Sequence, residues 1–278
     1  MTAAGRWAAQ LEAWAIPQEL LDSVDESPYG WPQALWARRS ELARAEADDP
    51  PTTRIVAETC PAGGTLLDVG AGRGRASFPV AAADRRLIAV EPDAAMVAGL
   101  REEARLASLD VRVVEGRWPD VVDEVGRVDV AMCANVVYDV ADLAPFLSSL
   151  QRVATRGVVV ELTAAHPWAN LAPYYRRLHD LDRPDGPSVD DFVAVVREVI
   201  DIDPIVESWS RAGRVWFADW DELLALQRRR LVLTPDRDDE LRRVLEPDVE
   251  VRDGRLYLGG SARTMATVWW PGASVRHA

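Results

Sequence analysis

The stretch Asp68-Val69-Gly70-Ala71-Gly72-Arg73-Gly74 closes an apolar run with a carboxylate and then three alternating glycines. Residues of these types let a backbone pass close to a ligand. Glycine takes positive φ at no steric cost, and the helix that follows turns its unpaired N–H groups toward whatever lies above. A second carboxylate, Glu91, ends the next apolar run, Arg86-Leu87-Ile88-Ala89-Val90, roughly 20 residues on, where it can accept hydrogen bonds from ribose hydroxyls. The alternative for Glu91 is a helix-terminal charge, but Asp93 is already a good N-cap and makes that role redundant. The dinucleotide fingerprint G-x-G-x-x-G is not met, because the third glycine comes too early and Arg75 stands in its place. The spacing disfavours NAD and FAD.

These residues need a sheet beneath them. From Thr65 to about Leu162, short apolar or β-branched runs ("TLLDV", "RLIAVE", "VRVVEG", "VDVAMCA", "GVVVEL") alternate with helical stretches, among them Asp93 to Ser108 and Ala141 to Ala154. Strands that are apolar on both faces and alternate with helices predict a parallel sheet wound on both sides, which binds ligands at the carboxyl ends of its strands. Before it, Trp7, Leu11, Trp14 and Ile16, and then Leu35, Trp36, Leu42 and Ala43, recur at near-helical spacing, interrupted by "ESPYGWP". After it come an aromatic, Pro-rich segment, a helix from Ser188 to Ile200 with Ser188 as N-cap, and a β-like "PIVESWS". Helices at Asp219 to Leu231 and Asp238 to Leu245 follow, then a hairpin turning at Asp253-Gly254 and "RTMATVWW" as a last strand.

Composition narrows the function. Of 278 residues, 48% are hydrophobic and 28% charged, enough for a buried core and a solvated surface. The net charge of -13 disfavours nucleic acid as a partner, and Gln227-Arg228-Arg229-Arg230 reads as the solvated end of a helix. Two isolated cysteines, Cys60 and Cys133, suggest neither a metal site nor a disulfide framework. Without an apolar leader or a membrane-length apolar run, the expectation is a cytoplasmic protein with no membrane partner.

Taken together, "LLDVGAGRG" and "LIAVEPDAAMVAGLREEA" resemble the class I S-adenosylmethionine-dependent methyltransferases, over residues 52–165. The resemblance implies a Rossmann-like, doubly wound α/β fold: a mostly parallel seven-stranded sheet with an antiparallel last strand. Residues 1–51 would be a helical cap, and residues 166–278 an aromatic lid, a helical insertion and strands completing the sheet. S-adenosylmethionine would be the cofactor. Asp68 would meet its amino group, Gly70 and Gly72 would pass its methionine moiety, and Glu91, with Asp93 beside it, would hold its ribose. Met96 would lie against the adenine or serve as ordinary helix core. Where the family often has a carboxylate after the third strand's glycine, this chain has Arg117 and Trp118. Either the backbone there reads the adenine and Trp118 stacks on it, or this edge is built differently. Asn135 would stand close to the transferred methyl, and "NVVY" lacks the prolines of the adenine-DNA and glutamine methyltransferases.

Methyl transfer is an in-line displacement that depends mostly on alignment and exclusion of water. Tyr138, after the fourth strand, and His166, after the fifth, are the candidate catalytic groups, with packing roles as their alternatives; His179 reads as surface. Eleven tryptophans, with Trp7, Trp14, Trp31 and Trp36 in the cap and Trp168 near Tyr174 and Tyr175, suggest an apolar or aromatic small-molecule acceptor. A cofactor-binding sensor or partner subunit without transferase activity is the alternative, and RNA or protein methylation a less favoured one.

Overall fold

The computed structural model describes residues 1–29, 50–82, 84–212, 216–259 and 262–274. Trp31, Leu35, Trp36, Leu42 and Ala43 lie outside them. The order along the chain begins α1 (Ala3–Ala13), α2 (Gln18–Leu21), α3 (Pro51–Thr59), β1 (Thr65–Val69), α4 (Phe78–Ala81) and β2 (Arg86–Glu91). It continues α5 (Ala94–Leu106), β3 (Val111–Glu115), α6 (Val122–Val125), β4 (Val128–Ala134), α7 (Leu143–Val153) and β5 (Ala154–Thr163). Then come α8 (Ala172–His179), α9 (Val189–Ile200), β6 (Ile205–Ala212), α10 (Trp220–Arg230), α11 (Asp238–Leu245), β7 (Val249–Arg252), β8 (Arg255–Leu258) and β9 (Ala262–Pro271).

Seven strands form one sheet in the order β3-β2-β1-β4-β5-β9-β6. β1 through β5 pair in parallel, and β9 runs antiparallel to both β5 and β6. This is the mostly parallel, doubly wound sheet expected, with the antiparallel strand inserted between β5 and β6. From β1 the chain winds outward through β2 and β3, then returns to lay β4 on the other side. The carboxyl ends of β1 and β4 therefore flank the switch point, where such sheets open a crevice.

The strands are apolar on both faces because both are covered. Leu67, Val69, Ala131, Cys133, Val158 and Val160 pack toward α7, α9 and Trp7 of α1. Leu66, Val130, Met132 and Val159 pack toward Ile55 and Val56 of α3. A second apolar cluster joins Ile16 to Tyr174 and Tyr175 of α8, Leu223 of α10, Leu241 of α11 and Leu256 of the β7–β8 hairpin. That hairpin turns through Asp253 and Gly254, both at positive φ, as the Asp-Gly pair requires. Ser188 caps α9 in a full capping box with Asp191. None of the described helices is long and apolar enough to cross a membrane.

Candidate functional site

β1 places Asp68 one residue before the strand's end, with its side chain 1% exposed. Neither carboxylate oxygen meets a hydrogen-bond partner, and the adjacent Ser77 hydroxyl is likewise buried without one. Burial pushes the Asp68 carboxyl from 3.8 to about 6, against the pull of Ser77 and Arg75. A buried carboxylate lacking donors is costly unless something else supplies them.

The glycines above it differ in what they face. Gly70, at φ +71, lies against the segment after β4, so an added Cβ would stand 2.4 Å from Val136 Cγ2. Gly72, at φ +57, would place a Cβ in open space, with nothing within 4 Å. Gly70→Ala is therefore expected to cost about 2–4 kcal/mol, from left-handed strain plus overpacking, and Gly72→Ala only about 1 kcal/mol; urea unfolding of the two variants checks the ranking.

Glu91, at the tip of β2, is 7% exposed. Its Oε2 accepts from the Gly72 N–H at 2.9 Å and its Oε1 from the Asp93 N–H at 3.0 Å. One carboxylate thus ties the glycine turn to the start of α5, and each oxygen keeps a lone pair for a further donor. Asp93 does what its position predicted, capping α5 by accepting from the Ala95 and Met96 N–H groups.

On the other side of β1, Asn135 follows β4 at φ 60, a left-handed position asparagine tolerates. Its amide Nδ2 donates to Glu161 Oε1 at 2.8 Å, and its backbone N–H donates to the Glu161 carbonyl at 2.8 Å. Glu161 sits near the end of β5, 1% exposed, and gathers four elements. Arg75 of the glycine turn and Arg211 of β6 donate to its Oε1 at 3.1 and 2.9 Å, and Thr52 of α3 donates to its Oε2 at 2.9 Å. Because the Thr52 proton is committed to Glu161, Thr267 of β9 must donate to Thr52 and accept from the Trp209 indole N–H. Burial would raise the Glu161 carboxyl, but Arg211 and Arg75, with the hydrogen bonds from Arg211 and Thr52, hold it below its ordinary range. Of this cluster the sequence pointed to Asn135 alone, and Glu161, Thr52 and Arg211 were not expected at the site.

Residues 66–157 match the model of the methyltransferase domain family. The chain carries a methyltransferase domain. Its architecture agrees with solved structures. One is magnesium protoporphyrin IX methyltransferase from Synechocystis PCC 6803 with bound SAH, at TM-score 0.51 and 13% identity, covering 87% of this chain and 90% of that one. Another, from Bacillus halodurans C-125 and described as a candidate methyltransferase, has TM-score 0.53 and 14% identity, covering 84% and 98%. These likenesses show the class I methyltransferase fold. The ribosomal RNA small subunit methyltransferase G of Mycobacterium leprae (strain TN) is 38% identical over 86 residues, which are 30% of this chain and 35% of that protein. The match spans about a third of that relative.

Within the methyltransferase domain the remaining predicted site residues separate. Met96 is half-buried on the first turn of α5, close behind Glu91, and Arg117 is exposed after β3. Trp118 is 6% exposed in the core, its indole N–H donating to the Phe146 carbonyl of α7 at 3.2 Å. Its N–H edge therefore faces the helix.

Tyr138 and His166 come together, but each is already engaged. The Tyr138 hydroxyl donates to the Thr163 carbonyl at 2.6 Å, its ring stacks on Trp7 at 5.5 Å, and burial raises its pKa far above neutrality. His166 stacks on Trp14 with centroids 4.1 Å apart, meets Tyr138 edge-on, and accepts from the Trp168 N–H at Nδ1. Burial, then the charge of Arg183, pushes its pKa down to about 4, so at pH 7 the ring is neutral and a weak base. Arg183 lies over the rings of Trp14 and Tyr175 and donates to the Trp14 and Ala15 carbonyls, fastening the end of α1 to α8 and the segment after it. His179 is half-buried, its Nε2 at 2.6 Å from the Leu231 carbonyl.

Proposed function

We propose that the protein is an S-adenosylmethionine-dependent methyltransferase acting on a small-molecule acceptor. The observation that carries this reading is Asp68, a fully buried carboxylate without donors beneath a glycine turn that leaves open space at Gly72. These residues fit S-adenosylmethionine. Asp68 would take its ammonium directly or through water, Gly72 would lie beside its methionine chain, and Glu91 would accept from its ribose hydroxyls with the lone pairs the backbone leaves free. When bound, the cofactor supplies an electrophilic methyl on a sulfonium. The chain's own work is alignment: Asn135, held by Glu161, fixes the segment after β4, while Tyr138, His166 and Trp14 close the cap and exclude water. With Tyr138 bonded to a backbone carbonyl and His166 neutral, the two act as positioning groups.

A small acceptor is favoured over RNA by the net charge of -13. The partial likeness to a ribosomal RNA methyltransferase covers 86 residues, 30% of this chain, and leaves most of the chain unmatched. A cytoplasmic location and the absence of a membrane partner belong to the same reading.

Calorimetric titration with S-adenosylmethionine and S-adenosylhomocysteine tests it. Wild type should bind both in the micromolar range. Glu91→Ala should weaken both by about 10–100-fold, the worth of charge-assisted hydrogen bonds, and Gly72→Ala should weaken them despite its small cost in stability. Absence of binding by wild type at high micromolar ligand would end the proposal.

A further inference from the structure

Glu161 draws two guanidinium groups onto a single carboxylate oxygen. Arg75 and Arg211 both direct Nη2 at the same oxygen, Oε1, and among the described residues neither forms an ion pair with any other carboxylate. One buried carboxylate thus holds two guanidinium groups, and Asp68 shares only the attraction of Arg75. The Glu161 side chain is 1% exposed, but Arg75 is 43% and Arg211 21% exposed, so both cations reach solvent while their anchor does not. Arg211 is further fixed by the Trp209 ring, 4.9 Å beneath its guanidinium, and that ring is itself held by the Thr267 hydroxyl. A rigid pair of guanidinium groups, each with N–H groups to spare, is the geometry that binds carboxylate or phosphate oxygens.

Position decides which ligand this is. In the strand order β2 lies on one side of β1, and β4, β5, β9 and β6 lie on the other. Glu91 is on the β2 side, whereas Arg75, Asn135, Glu161 and Arg211 all stand over β4, β5 and β6. The paired cations therefore occupy the flank of the crevice opposite the ribose carboxylate, beside Asn135. We propose that Arg75 and Arg211, gathered by Glu161, bind an anionic group of the methyl acceptor, so that the substrate is a small organic acid. The anion is an anchor that orients the acceptor, and the methylated atom is elsewhere on it. In a protein of net charge -13, such a pair also sets a local attraction for acids against a repulsive surface. The inference rests on the proposed donor site, and the experiment separates the two.

The probes are a panel of aliphatic and aromatic monocarboxylates, each paired with its primary amide. Binding is followed by saturation-transfer NMR and calorimetry, with and without S-adenosylhomocysteine. In wild type, carboxylates should bind and their amides should not. Arg211→Gln should weaken the carboxylates by about 10–100-fold and leave the affinity for S-adenosylhomocysteine unchanged. If Arg211→Gln does not melt cooperatively, Arg75→Gln, the more exposed of the pair, is read in the same way. Equal binding of acids and amides, or carboxylate affinity unaffected by either substitution, overturns the proposal. It is also overturned if the substitutions weaken S-adenosylhomocysteine as much as the acids, which would assign the cations to the donor's own carboxylate. If wild type fails to bind S-adenosylhomocysteine, the donor reading falls, and the carboxylate preference measured without it still decides the anion site.

Discussion

At about pH 7.5, Asp68→Asn is expected to make the protein more stable before ligand is added, by about 2 kcal/mol or roughly 4 °C in thermal midpoint. The reason is the unpaired charge. A carboxyl that titrates at about 6 in the folded chain and at 3.8 when unfolded costs about 3 kcal/mol when ionised in both states. Part of that gain is given back, because the new amide is buried without partners too. The sign follows from the raised pKa: the folded state holds its proton more tightly, so the cost is complete above about pH 6 and disappears as the pH falls through 3.8. Melts of wild type and variant should therefore differ at about pH 7.5 and converge toward about pH 4. The same substitution should reduce affinity for S-adenosylmethionine by about 10–100-fold. Opposite effects on stability and binding are the mark of a residue kept for function, and a structural aspartate would lose both.

Glu161→Gln should act in the other direction. Removing the charge that Arg75 and Arg211 share leaves two guanidinium groups without their common carboxylate, and breaking a buried pair in this way costs about 3–5 kcal/mol. The arginines are partly exposed and water can screen them, so a loss of about 3 kcal/mol is expected. It should appear as a lower urea midpoint at unchanged slope. The pH dependence is also reversed: a carboxyl held below its ordinary value stabilises the fold above the unfolded value of 4.5, and that contribution is lost as the pH falls further.

The contrast between these two acids marks what could be read from sequence. Asp68 and Glu91 stood at the ends of apolar runs with glycines between them, a signal contained within one short stretch of chain. The strands were legible for the same reason, since "TLLDV" and "VDVAMCA" are apolar on both faces and can only be central strands. The Ser188 cap and the Asp253-Gly254 turn were equally local. Glu161 was hidden within the strand "GVVVEL". Its partners Thr52, Arg75, Asn135 and Arg211 come from four other places, and only the sheet order brings them together. The one available signal was a charged residue in a wholly apolar strand, which must be paired or ligand-facing if it is buried. Trp118, His166 and Tyr138 show the converse. Their positions after strands suggested contacts with a ligand, but an aromatic ring has many ways to bury itself, and the indole N–H of Trp118 turns to the Phe146 carbonyl while His166 stacks on Trp14. Chain position fixes where such a residue begins and leaves its partner open.

In the proposed site the Asp68 carboxylate receives the cofactor's ammonium. S-adenosylhomocysteine titrated calorimetrically in buffers of different ionisation enthalpy tests it most directly, because an ammonium placed against a carboxyl that titrates at about 6 must expel the proton. Binding should release about half a proton near pH 6 and almost none near pH 8, and Asp68→Asn should abolish the release along with most of the affinity. Tight binding with no buffer dependence, and the same affinity in Asp68→Asn, would place the cofactor away from Asp68 and contradict the site described.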